Sequence, residues 1–164
     1  MKFAALLLLA CCATPAYSSD LPAPQDMQRV GAGTLRWFGL RVYDAELRAG
    51  VRPVSFASRF ALSLRYARTL RGLAIAERSL EEIEALDFGS PAQRAAWADA
   101  MRALFPDVAA GDTLTGVHLP ERGARFFHNG RLLGEIRDPQ FSRAFFAIWL
   151  DPTNKCSLSS MPTI

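Results

Sequence analysis

The chain has 164 residues, half of them hydrophobic and 21% charged, with a formal charge of +3. That composition suits one compact domain with a real core and excludes a disordered polyelectrolyte. The arginines are scattered, and removal of Lys2 with a leader would lower the positive excess further, so no nucleic-acid partner is expected.

The first predicted element is a leader. "MKFAALLLLACCATPAYSSD" has a basic start at Lys2, an apolar run from Phe3 to Cys12 and small residues behind it. The run is shorter than the roughly 20 apolar residues a spanning helix requires. Residues 1–16 therefore read as a signal peptide cut after Ala16, and the mature protein as exported to the periplasm. A second reading takes Leu8-Leu9-Ala10-Cys11 as a lipoprotein processing site, which would anchor the chain to a membrane through Cys11. Residues 17–28 read as a linker, with prolines at 22 and 24.

Gly31-Ala32-Gly33 punctuates the start of the folded part, and Thr34 to Trp37 is a short strand candidate. Phe38-Gly39 is its turn, or else Gly39 is a bulge in a longer strand. Leu40 to Arg48 continues as strand. Strict alternation from Phe38 to Leu47 would place Arg41, Tyr43, Ala45 and Leu47 on one face, and Val42, Asp44 and Glu46 on the other. Asp44 and Glu46 would face solvent or pair with arginines of a neighbouring strand such as Arg65. After the break at Gly50 to Pro53, Phe60, Leu62, Leu64 and Tyr66 alternate again.

A helix follows, with Leu73, Ala76, Leu80, Ile83, Ala85 and Leu86 at helical spacing and Glu77, Arg78, Glu81, Glu82 and Glu84 mostly on the outer arc. Ser90-Pro91-Ala92-Gln93 has the form of a capping box and starts a second helix that runs to about Leu104, stopped by Phe105-Pro106. "GDTLTGVHLP" reads as a strand, with Leu114, Gly116 and His118 opposite Thr115, Val117 and Leu119. "RFFHNGRLLGEI" reads as a hairpin turning at Asn129-Gly130. Asp138-Pro139 opens a last helix whose Phe141, Phe145, Ile148 and Trp149 form an apolar stripe, a core feature rather than a cofactor box. Strands, helices, a hairpin and a helix in that order indicate an α+β fold with helices on one face of an antiparallel sheet. His118, His128 and Cys156 lack metal-ligand spacing, and neither a metal nor a cofactor is expected. With Cys11 and Cys12 in the leader, Cys156 has no intrachain disulfide partner.

Several stretches together resemble the bacterial secreted branch of the chalcone isomerase-like family: "VGAGTLRWFGLRVYDAELRA", "ALSLRYARTL", "FPDVAAGDTLTGVHLPERGARFFHNG" and "GEIRDPQFSRAFFAIWLD", with the acidic helix between them. The resemblance spans about Arg29 to Asp151, taken as the domain, and implies a long antiparallel sheet, helices on one face and a ligand cleft between. Residues 152–164 ("PTNKCSLSSMPTI") form an atypical tail where relatives continue into a short helix, which would deprive the last helix of support.

The resemblance implies two kinds of function. Plant members cyclise chalcones to flavanones, while non-catalytic relatives bind fatty acids through an arginine and a tyrosine at the carboxylate. Here the matching strand position carries Tyr43. Arg36 is the family match for the cation, with Arg29 a weaker one, and Arg41 is the alternative on the face argument. A guanidinium beside a phenol can hold a carboxylate by charge and directed hydrogen bonds. No Tyr–Asn pair of the kind the enzymes carry stands in the helices from Leu73 to Leu104. The expected function is thus a non-catalytic binding protein for a small amphipathic ligand such as a fatty acid. An isomerase or intramolecular lyase, and an envelope interaction module with a self-filled cleft, are the alternatives.

Overall fold

A computed structural model describes residues 27–159. The leader and its cut after Ala16, the alternative anchor at Cys11, most of the linker and the tail beyond residue 159 lie outside the described residues. Six strands form one antiparallel sheet in sequential order: β1 (Gln28–Trp37), β2 (Leu40–Ala49), β3 (Phe60–Tyr66), β4 (Thr113–Leu119), β5 (Gly123–His128) and β6 (Arg131–Ile136). Helices α1 (Gly72–Ala85) and α2 (Pro91–Leu104) separate β3 from β4, and α3 (Pro139–Leu150) closes the order. The architecture is α+β, as the order of elements predicts.

Turn chemistry sets much of this meander. Asn129 and Gly130 both take positive φ, 49° and 80°, between the paired residues His128 and Arg131. That is the twist a two-residue hairpin needs. Phe38 and Gly39 do the same between Trp37 and Leu40, with φ of 47° and 77°. The turn alternative at Phe38-Gly39 is therefore the correct one. β1 is longer than expected, because pairing with β2 carries it through Gly31 and Gly33 as far as Gln28.

Helix ends follow the sequence closely. Ser90 accepts from the Gln93 amide while Gln93 accepts from the Ser90 amide, a complete capping box. Asp138 caps α3 through the amides of Gln140 and Phe141, and its other oxygen accepts from Trp97 Nε1 at 2.7 Å, tying α2 to the start of α3.

One sheet face carries the core. Tyr43, Ala45, Leu47 and Ala49 are buried in alternation along β2, and Phe60, Leu62, Leu64 and Tyr66 along β3. The stripe of α3 packs onto them: Phe141, Phe145, Ile148 and Trp149 are all buried, with Phe146 beside them. Gly116 lets β4 lie close beneath this helix, since a Cβ there would stand 3.1 Å from the Phe146 ring. On the other face Met27, Ala61, Val117 and Phe127 form a smaller cluster among polar pairs such as Ser63–Thr115.

His118 reaches from β4 into the helical layer. Its Nε2 donates to the Phe56 carbonyl at 2.9 Å, so Nδ1 is the acceptor for the Ser142 hydroxyl at 2.7 Å. Beyond α3 the tail folds back rather than hanging free. The Leu158 amide donates to the Trp149 carbonyl at 2.9 Å, and Asn154, Cys156 and Ser157 are buried. This contact gives the end of α3 the support that the divergent tail sequence was expected to remove. Among the described residues no helix is long and apolar enough to cross a membrane, and no group of side chains is arranged to hold a metal ion.

Candidate ligand-binding site

A cavity of about 470 Å³ lies between the sheet and helices α1 and α3. That volume is in the range of small-molecule sites, about 300–1,000 Å³. Its floor is apolar sheet: Leu35, Val42, Leu62, Leu64 and Leu114. Phe145, Ile148 and Trp149 of α3 form the roof, and Ile75, Arg78, Ser79 and Glu82 of α1 form one wall. Trp37 and Arg68, both exposed, stand where the cavity meets solvent.

Tyr43 lines this space and is 7% exposed. Its hydroxyl oxygen accepts from Trp149 Nε1 at 3.0 Å. The hydroxyl hydrogen has no acceptor among the described residues and stays available to a guest. Burial, reinforced by Cys156, pushes the Tyr43 phenol far above its ordinary range, and burial does the same to Tyr66. Both are neutral hydrogen-bond donors at physiological pH.

Arg41 does not share Tyr43's face. Leu35 pairs with Tyr43 and Arg36 with Arg41, so Val42 is an extra residue on β2, a β-bulge. The bulge turns Val42 and Tyr43 both toward the cavity and breaks the strict alternation. Arg41 is thrown to the opposite face, where its guanidinium is paired with Asp44. Asp44 also accepts from Thr34 Oγ1 at 2.8 Å, and Glu46 pairs with Arg48 at 2.5 Å, so Arg65 is not the partner of either acid. Arg36 is exposed and directed at the turn, donating to the Gly39 carbonyl at 3.3 Å. Arg29 is exposed too, and its carbonyl accepts from Arg52. Of the expected binding residues, then, the cavity contains Tyr43 and none of the three arginines.

Two other arginines line the space. Arg68 follows Ala67, whose amide donates to the Val42 carbonyl, which fixes it at the bulged end of β2. It makes no ion pair with any described residue. Arg78 is held by Glu81 and, one helical turn on, by Glu82, whose side chain is only 6% exposed. Burial opposes the Arg78 charge, but the two carboxylates outweigh it and raise its pKa. Lys155 approaches Glu82 at 4.0 Å, and Cys156 lies in the same cluster, its thiol pushed up by burial and by Glu82. Glu77, Glu81 and Glu84 are exposed on the expected outer arc, but Arg78 and Glu82 line the cavity, and Leu73 is 42% exposed. Residues 75, 78, 79 and 82 share one helical face, and that spacing was the available signal.

Comparison with known proteins agrees with this architecture. A fatty-acid binding protein of Arabidopsis thaliana has the same fold, with a TM-score of 0.66 over 80% of this chain and 83% of that one, at 10% identity. No curated protein sequence matches the chain. The sequence model described as chalcone isomerase-like matches residues 59–155, well over half of the chain. This six-stranded meander roofed by α3 therefore belongs to the chalcone isomerase-like family.

Proposed function

We propose that this protein binds a small amphipathic ligand, a fatty acid or similar lipid, in the cavity beneath α3 and performs no chemistry on it. The observation that carries the proposal is an apolar space of about 470 Å³ with a phenol O–H, Tyr43, within and an exposed guanidinium, Arg68, in its lining that makes no ion pair among the described residues. Apolar walls bury a chain, the guanidinium supplies charge for an acid head, and the phenol supplies one directed donor. The likeness to a fatty-acid binding protein supports the same reading. Binding without catalysis is supported by the state of the polar groups. Tyr43 is held neutral, and Glu82 is tied to Arg78 instead of facing the space as a free base.

The experiment is native mass spectrometry of protein purified from the expressing cells, followed by thermal-shift titration with fatty acids. A bound carboxylic lipid and a stabilising shift are expected. Arg68→Ala should weaken binding about tenfold, at the low end for a charge-assisted bond because the residue is exposed, and Tyr43→Phe about fivefold. A ligand-free mass together with no shift on titration overturns the reading. Flavanone formation from a chalcone above background overturns its non-catalytic part.

We further propose that the chain is of the secreted branch, freed of its leader after Ala16. N-terminal sequencing of the mature protein should begin at Tyr17. A lipid-modified start at Cys11 would replace release with anchoring.

A further inference from the structure

Among the described residues, the aromatic side chains most open to solvent stand at the β1–β2 turn. Phe38 is 90% exposed, Leu40 56% and Trp37 50%. Phe38 holds φ +47°, a left-handed conformation that glycine or asparagine adopts far more readily than a bulky aromatic. Among the described residues its one ring contact is edge-on with Trp37.

The charges around the turn have one sign in excess. Arg36 stands on the tip itself, bonded to the Gly39 carbonyl, and forms no ion pair with a described residue. Arg78 lies 5.5 Å over the Trp37 ring and Lys155 6.0 Å from its centre. Arg68 stands at the same end of the sheet, beside the bulge. The acids nearby, Asp44, Glu81 and Glu82, are engaged by Arg41 and Arg78, with Lys155 also 4.0 Å from Glu82, which leaves Arg36 and Arg68 without an ion pair among the described residues. Aromatic and aliphatic side chains at a tip ringed by cations fit the boundary of a bilayer with anionic headgroups, where rings enter the acyl edge and cations meet phosphate.

Trp37 belongs to both places: it lines the cavity and forms part of the exposed tip. We propose that the Trp37–Leu40 turn docks on an anionic lipid surface and sets the cavity mouth against it, so that an amphipathic guest passes between bilayer and cavity without crossing water. This rests on the cavity being a lipid site, but the docking surface can be tested apart from it.

The test is flotation with vesicles of phosphatidylcholine alone and of equal parts phosphatidylcholine and phosphatidylglycerol, comparing the natural chain with Phe38→Ser/Leu40→Ser and with Arg36→Ala/Lys155→Ala. The natural chain should bind the anionic vesicles and release on added salt. The apolar pair should lose binding at least tenfold, and each cation removed should cost about fivefold. Brominated lipids should quench the natural chain, and Trp37→Phe should remove that quenching, since Trp97 and Trp149 are buried. Equal vesicle binding by the Phe38→Ser/Leu40→Ser protein overturns the proposal. So does a dimer in solution that this variant converts to monomer, because a second copy would then be the tip's partner. Fatty-acid thermal shifts on the same variants separate the two readings. The Phe38→Ser/Leu40→Ser variant, which touches no residue lining the cavity, should keep the shift. If the natural chain shows none yet binds vesicles through the turn, docking stands and the cavity reading fails.

Discussion

Arg78 and Glu82 offer a quantitative probe of the cavity wall. Glu82 is almost fully buried on α1, while Arg78, one turn earlier, is 44% exposed. Replacing Arg78 with Met keeps the stem's packing but leaves a buried carboxylate whose remaining cation, Lys155, is 4.0 Å away and 65% exposed. Breaking a fully buried pair costs about 3–5 kcal/mol. Solvent reaching the guanidinium discounts that by about half, which gives roughly 2 kcal/mol for Arg78→Met. Glu82→Gln in the same background removes the stranded charge, so the double variant should recover about 1 kcal/mol. Urea denaturation measures both through the midpoint, with the slope unchanged because the buried area is nearly the same. A loss below about 0.5 kcal/mol for Arg78→Met, or a double variant no more stable than the single, would refute the claim that this pair is desolvated and mutually dependent.

Three further outcomes are expected. Gly72→Ala should lower the melting temperature by about 10 °C or more, because a Cβ there would stand 2.1 Å from the Phe105 carbonyl oxygen, a backbone atom that cannot step aside. Burial lowers the His118 pKa, so the unfolded chain binds the extra proton first; stability should fall as pH drops from about 7 toward 5, and His118→Gln should flatten that slope in pH-dependent melts. Tyr43 and Tyr66 should stay un-ionised in the folded protein at about pH 11, where ultraviolet difference spectra would detect an ordinary phenolate; appearance of two phenolates before unfolding would refute their burial.

The architecture was legible because its signals are local. Ser90 through Gln93 spells a capping box, Asn129-Gly130 a tight hairpin, and the residues of β3 and β4 alternate without interruption. β1 was underestimated because Gly31 and Gly33 read as punctuation, whereas ten residues of it form a strand once β2 is alongside. The site was harder to see. Tyr43 could be singled out, but the bulge at Val42 is a property of the β1–β2 pairing, and it decides that Arg41 faces away. On α1 a charged pair looked like a solvated face, since periodicity alone does not tell a polar wall of a cavity from an outer surface. Arg68 sits in a segment with no periodic pattern at all, and only the folded chain brings it to the opening.

Trp149 gives one more consequence. Its indole nitrogen grips Tyr43, 106 positions earlier, while its carbonyl receives the amide of Leu158. The six strands can zip one after another as a nascent chain emerges, each onto its immediate predecessor. The lid over them cannot be latched until residue 158 has left the ribosome. Until that stretch is made, the part of the sheet that α3 roofs in the finished fold lacks its cover, a window in which a chaperone, or a lipid, could reach it first.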